Sequence, residues 1–261
     1  MDNAILFTVC ALFFSILLTV VYFSKERFNK IENKIYAVLI ILNLFGLIIH
    51  ILCGIVTPMT NDNLESKIFS KIYLGYLLSW ITLFVTYVFI ISKDTNNKIR
   101  IKKVFNIMTV IYVILLFIVI LLPILIYNEN SIIYTYGPSV DFLYIISAIY
   151  GAIMFTCLII NYKNIKSKKY LPIFLFMVIS LIVAIIQSLY PSLLLMTAME
   201  TFITFLMYFT IENPDLQMLK EFHKARELAE ESNKEKTEFL FNISNQIKTP
   251  INKIIETSEK A

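Results

Sequence analysis

The sequence predicts an all-α membrane protein: seven transmembrane helices followed by a cytoplasmic helix of coiled-coil or dimerisation type. Three observations carry that prediction. Of the 261 residues, 58% are hydrophobic and the mean hydropathy is +0.74, too apolar for an ordinary soluble domain. The apolar residues fall in seven runs of roughly span length, near 4–23, 35–56, 69–92, 104–127, 142–162, 170–190 and 192–211. Only five Gly and seven Pro interrupt the chain. Each run is therefore expected to be an α-helix rather than a barrel strand, since no backbone group can stay unpaired in hydrocarbon.

The connecting segments set the orientation. Segment 24–34 holds Lys25, Arg27, Lys30 and Lys34, and segment 93–103 holds Lys93, Lys98, Arg100, Lys102 and Lys103. Segment 163–169 holds Lys163, Lys166, Lys168 and Lys169. The alternate segments are nearly free of base: 57–67 has Lys67, and 128–141 has none. The positive-inside rule makes the first set cytoplasmic, which places the N-terminus outside and the C-terminus inside. Cys10, Cys53 and Cys157 lie within apolar runs and read as small bundle- or lipid-facing residues. No spacing suggests a metal site, and no cofactor or nucleic-acid partner is expected. The first run is long and lacks a basic leader or a small-residue cleavage site, so a cleavable signal is not expected.

After Ile211 the composition changes. The stretch ENPD, Glu212 to Asp215, ends the seventh run: Pro214 disfavours helix at Asn213, and Asn213 can cap a new helix that begins with Pro214. Residues 212–238 read as a linker helix rich in Lys, Glu, Ala and Leu. Leu219, Phe222, Ala225, Ala229 and Ser232 recur every three or four residues, as on a weak coiled-coil seam or on an independent solvated helix. Leu240, Ile243, Ile247, Ile251 and Ile254 then form a stronger apolar line, for which a second copy is the natural partner.

Within residues 239–261 stands FLFNISNQIKTPI. It resembles the H box of membrane sensor histidine kinases of bacterial two-component systems, F-L-x-N-x-S-H-E-[IL]-[RK]-T-P-[IL]. Phe239, Leu240, Asn242, Ser244, Ile247, Lys248, Thr249, Pro250 and Ile251 fit it, and ELAEESNKEKTEF before it resembles the family's signalling helix. With ENPDL, the resemblance covers about 212–255 and implies a bacterial plasma-membrane sensor with 1–211 as its input domain. Where the family has its phosphoaccepting histidine stands Asn245, and where it has a carboxylate stands Gln246. An amide nitrogen, its lone pair delocalised, cannot attack a phosphate, and Gln246 cannot take a proton. Asn245 is two residues from both Ile243 and Ile247, and so projects away from the seam. His223 lies about 22 residues upstream without the box and reads as a surface residue. The chain ends at Ala261, so the expectation is a truncated, catalytically silent member of a phosphorelay. It would act as a homodimer or as a heterodimer with a related kinase, with a response regulator as a further partner.

Three polar residues inside the apolar runs are candidates for sensing: Glu200 in the seventh, His50 in the second and Gln187 near the end of the sixth. The orientation above puts Glu200 and His50 within about a turn of each other in depth, in the outer half of the bilayer, with Gln187 close to that level. An intramembrane ionisable group marks a functional site by default. The plainer alternative is that Glu200, protonated or paired with His50, serves packing alone. Trp80, Asn43 and the tyrosines read as core or interface anchors. A different class of function, a small transporter or carrier with a cytoplasmic tail, remains the rival, although no repeat or broken helix supports it.

Overall fold

The computed structural model describes residues 3–25, 31–60, 64–93, 98–129, 132–160, 171–190, 193 and 195–259. The basic segment 163–169, Arg27 and Lys30 of segment 24–34, and Pro191 between the last two apolar runs lie outside the described residues, as do the side chains of Thr249 and Ile254. The chain divides into two compact units, Met1–Glu212 and Asn213–Ala261.

The first unit is a helical bundle. Its helices are α1 (Asn3–Ser24), α2 (Ile31–Thr60), α3 (Leu64–Lys93), α4 (Lys98–Leu121), α5 (Pro138–Ile160), α6 (Leu171–Leu189) and α7 (Met196–Met207). Among the described residues, five of these, α1 to α5, are long and apolar enough to cross a membrane. The last two apolar runs give shorter helices, of 19 residues for α6 and 12 for α7.

The bundle is organised around α3, which packs against α2, α4 and α5, while α7 packs against α1, α2 and α6. In α3, 78% of the most apolar stretch is buried, against 11% in α4. Hydropathy runs the other way: α3 is the least apolar of the five and α4 the most. In hydrocarbon the solvent is itself apolar, so the helix richest in Ser, Thr and Tyr is the one withdrawn from it. Those hydroxyls satisfy themselves first on their own helix. Ser79, Thr82 and Thr86 donate to the carbonyls of Gly75, Leu78 and Thr82, at 2.6, 2.7 and 2.7 Å. Trp80, fully buried, stacks on Phe84 with ring centroids 5.2 Å apart, and Phe176 of α6 lies 5.7 Å away.

The fourth apolar run departs from its sequence reading as one helix over 104–127. Helix α4 stops at Leu121, and Leu125–Glu129 forms strand β1, paired antiparallel with β2, Ile132–Tyr136. The reason is local. Pro123 has no N–H to continue the helix and disfavours helix at the residue before it. The β-branched and aromatic residues beyond it find a complementary strand a few residues on. Tyr127 faces Tyr134 in the register, and their rings stack at 5.0 Å. Gly137, at φ +109°, turns the chain from β2 into α5, where a residue with a Cβ would be strained. Ser139 then ties α5 back to α4, its hydroxyl donating to the Val119 carbonyl at 2.9 Å.

The seventh run also differs from a single long helix. After Met207 the chain widens into a π-helical turn, Tyr208–Glu212. It starts where the Thr204 carbonyl accepts both the Tyr208 N–H and, at 2.7 Å, the Tyr36 hydroxyl of α2. The second unit is one helix, α8 (Pro214–Glu259). Asn213 begins it as the ENPD pattern predicts, its side-chain oxygen accepting the Asp215 N–H at 3.0 Å. Along α8, Leu219, Phe222, Leu240, Ile247 and Ile251 are exposed and Ile243 is half-buried. Pro250 lies inside the helix, so the Gln246 carbonyl has no N–H from that position.

Candidate functional site

Four helices of the first unit bring polar side chains to one place. From α1 come Thr8 and Ser15, seven residues apart and so on one face. From α2 come Asn43 and His50, again seven apart, with Gly46 on the same face between them. From α3 come Tyr73 and Tyr76. From α7 come Thr197, Glu200, Thr201 and Thr204, at spacings of three and four. All of these polar residues except Tyr73, which is half-buried, are buried, and Glu200 is only 4% exposed.

The geometry centres on Glu200 and Asn43. The Tyr76 hydroxyl lies 2.6 Å from Glu200 Oε2 and 3.3 Å from Asn43 Oδ1. Asn43 Nδ2 donates to Ser15 Oγ at 3.2 Å and to Thr201 Oγ1 at 3.1 Å. The Thr201 hydroxyl donates to the Thr197 carbonyl at 2.8 Å, and the Thr204 hydroxyl to the Glu200 carbonyl at 2.7 Å. One turn away, His50 Nδ1 lies 2.7 Å from Thr197 Oγ1 and 3.3 Å from Thr8 Oγ1. Its ring stacks on Tyr73, with centroids 4.6 Å apart and planes 23° apart.

Gly46 is what admits the central tyrosine. A methyl group built on it would overlap the Tyr76 ring at Cε2, Cζ and Cδ2. Only a residue without a side chain lets α2 and α3 approach so that the phenol reaches Glu200.

Of the residues singled out in the sequence, Glu200 and His50 do come into one cluster. The Glu200–His50 pair that the plainer alternative allowed does not form: the carboxyl takes Tyr76, and the imidazole sits against Thr197, Thr8 and Tyr73. The packing around Gly46 aims Tyr76, not His50, at the acid. Gln187 stands apart; its side-chain oxygen is buried without a hydrogen-bond partner, and none of the bonds described above involves it. Asn43, read from sequence as an anchor, is instead the hub of the cluster. Tyr76, read with the other tyrosines as an anchor, is the acid's partner, and Ser15, Thr197 and Thr201 were not singled out. The signal for them was present as polar residues at intervals of three, four or seven within apolar helices. On α8, Asn245 and Gln246 are exposed.

Chemically, the cluster is a buried acid held by a phenol that also meets an amide, with an imidazole one turn away. A group gained or lost there changes how α7 meets α1, α2 and α3, because the bonds of Asn43, Tyr76, Glu200 and His50 cross between helices. No family model, curated protein or solved structure matches the chain.

Proposed function

We propose that this chain is a signal-sensing membrane protein of a bacterial two-component system, resembling the input end of a sensor histidine kinase. In this reading all seven apolar segments cross the plasma membrane, α6 and α7 included, with the N-terminus outside and the C-terminus in the cytoplasm. The alternation of basic and base-free connecting segments supports that orientation. The observation that carries the proposal is the place of Glu200. It sits on α7, hydrogen-bonded to Tyr76 of α3, and α7 is the helix that leads in sequence into Asn213 and the H-box-like α8.

A stimulus that rearranges the cluster shifts or rotates α7, and α8 follows it along the chain. Output is a change in the pairing of α8 with a second copy or with a related kinase, through the line of Leu240, Ile243, Ile247 and Ile251. Asn245 takes no phosphate, so the chain modulates a phosphorelay, and the response regulator is reached through the partner kinase.

The test is disulfide formation at Ile243→Cys in membranes, in a background with Cys10, Cys53 and Cys157 replaced. Adding Glu200→Gln, which keeps the shape of the side chain, should change the cross-linking rate several-fold with expression unaltered. An unchanged rate in well-folded protein would refute control of α8 by the cluster. Cargo-dependent flux in liposomes, abolished by the same change, would instead establish the transporter.

A further inference from the structure

We propose that Glu200, Tyr76, Asn43 and Thr201 form a binding site for one small monovalent cation, sodium by size and charge, in competition with a proton. The inference starts from a count of hydrogens. Tyrosine and threonine hydroxyls each have one proton to give. That of Tyr76 goes to Glu200 Oε2 at 2.6 Å, and that of Thr201 to the Thr197 carbonyl at 2.8 Å. Asn43 Oδ1 is then left with only the longer contacts of the same two hydroxyls, from Tyr76 at 3.3 Å and Thr201 at 3.4 Å. Three lone-pair-bearing oxygens and a carboxyl converge there, and the amide hydrogens of Asn43 are turned to Ser15 and Thr201 rather than between them. All four residues are more than nine-tenths buried. An acceptor held only by such long contacts in a membrane interior gains from a closer partner.

Two occupants resolve this. A proton on Glu200 lets the acid donate to Tyr76, which frees the phenol to donate to Asn43. A cation seated between the oxygens satisfies them directly and leaves Glu200 ionised. Distances select its size. Oxygens 3.3 and 3.4 Å apart match the edges of an octahedron whose centre lies about 2.4 Å from each corner, the radius at which calcium-sized ions are held. Charge selects its valence. Glu200 supplies one negative charge, and no Lys or Arg joins the cluster among the described residues. A divalent ion would leave a net positive charge buried, whereas sodium, close to calcium in size, leaves none.

The titratable groups that face Glu200 are Tyr76 and Tyr73 from α3, while His50 of α2 is held on Thr197, one turn away. Helix α1 contributes the hydroxyls of Thr8 and Ser15, and among the described residues no side chain of α6 is hydrogen-bonded to the cluster. His50 can also titrate, so the proton competition must be read against a Glu200 variant. The inference deepens the sensing reading and rests on it only for what the ion accomplishes; its test reads binding and not signalling.

The experiment is thermal unfolding of the full chain in nanodiscs, followed by Trp80 fluorescence, in NaCl, KCl or choline chloride at equal ionic strength and several pH values. Sodium should raise Tm over choline by on the order of 5 °C at a hundredfold excess over Kd. Potassium should raise it less. In the range where a proton competes, each unit of acidification should weaken apparent sodium affinity up to tenfold. Glu200→Gln should abolish the sodium response, and Thr201→Val, which leaves the acid in place, should weaken it. Equal Tm in sodium and choline at every pH would overturn the proposal: a proton, or an Asn43 amide turned end for end, then satisfies the cluster alone. A sodium response that survives Glu200→Gln would also overturn it, by locating the ion elsewhere.

Discussion

Replacing Gly46 by alanine should dismantle the polar cluster without touching any of its polar groups. The added methyl would meet Cε2, Cζ and Cδ2 of Tyr76, each inside ordinary carbon contact by about 1 Å or more. The ring is 4% exposed and has Tyr73 beside it, at a centroid distance of 6.2 Å, so it cannot yield without moving its neighbours or parting α2 from α3. A ring shift of that size takes the hydroxyl from 2.6 Å to the edge of hydrogen-bond range of Glu200. Overpacking of this kind destabilises by about 1–3 kcal/mol. The weakened bond, with a carboxyl left buried, adds about 1–3 kcal/mol. Together these predict a fall in Tm of roughly 5–20 °C. Trp80, the single tryptophan and one turn from Tyr76 on α3, reports the transition by its fluorescence. A double-mutant cycle isolates the cause. In a Tyr76→Ala background the ring is gone, and Gly46→Ala should become nearly neutral. In a Tyr76→Phe background the ring remains, and most of the overpacking term should persist. If Gly46→Ala is as stable as the parent, or loses as much stability after Tyr76→Ala, the close α2–α3 approach is not what positions Tyr76.

Three further expectations follow from other parts of the chain. A cytoplasm-active reporter fused within 93–103 should be active and one within 128–141 silent; the reverse would invert the orientation proposed from the basic segments. With the native cysteines replaced, Ile243→Cys and Ile247→Cys should cross-link between copies several-fold faster than Asn245→Cys, whereas equal rates at all three would remove the case for a specific α8 seam. The native chain should take up no phosphate from ATP when paired with a related kinase. Asn245→His with Gln246→Glu should acquire acid-labile, base-stable label, and label on the unaltered chain would show that Asn245 is not the end of the chemistry.

The helical character of this protein, its apolar segments and the start of α8 were all legible in the sequence. Hydrocarbon leaves the backbone no partner but itself, so an apolar run of span length has few alternatives to a helix. Asn213–Pro214 marks a helix start by the chemistry of its own two residues. The hairpin was less legible. Residues 125–127 continue the hydropathy of α4, and hydropathy cannot tell a buried strand from a helix; Pro123 was the available signal, and the strand needed Ile132–Tyr136 opposite it. The site was legible only as isolated residues. Glu200 and His50 stand out because ionisable groups are rare in apolar runs. Thr8, Ser15, Thr197 and Thr201 do not, because a hydroxyl can satisfy itself on the preceding turn and so owes nothing to a neighbouring helix. Which faces meet is set by packing across helices distant in sequence. Ser15 reaches Asn43, Tyr76 reaches Glu200 across 124 residues, and the gap at Gly46 selects the phenol over the imidazole as the acid's partner. Local sequence encodes the helices and their polar stripes; only the tertiary structure, through the volume each side chain leaves to the next, turns four stripes into one cluster.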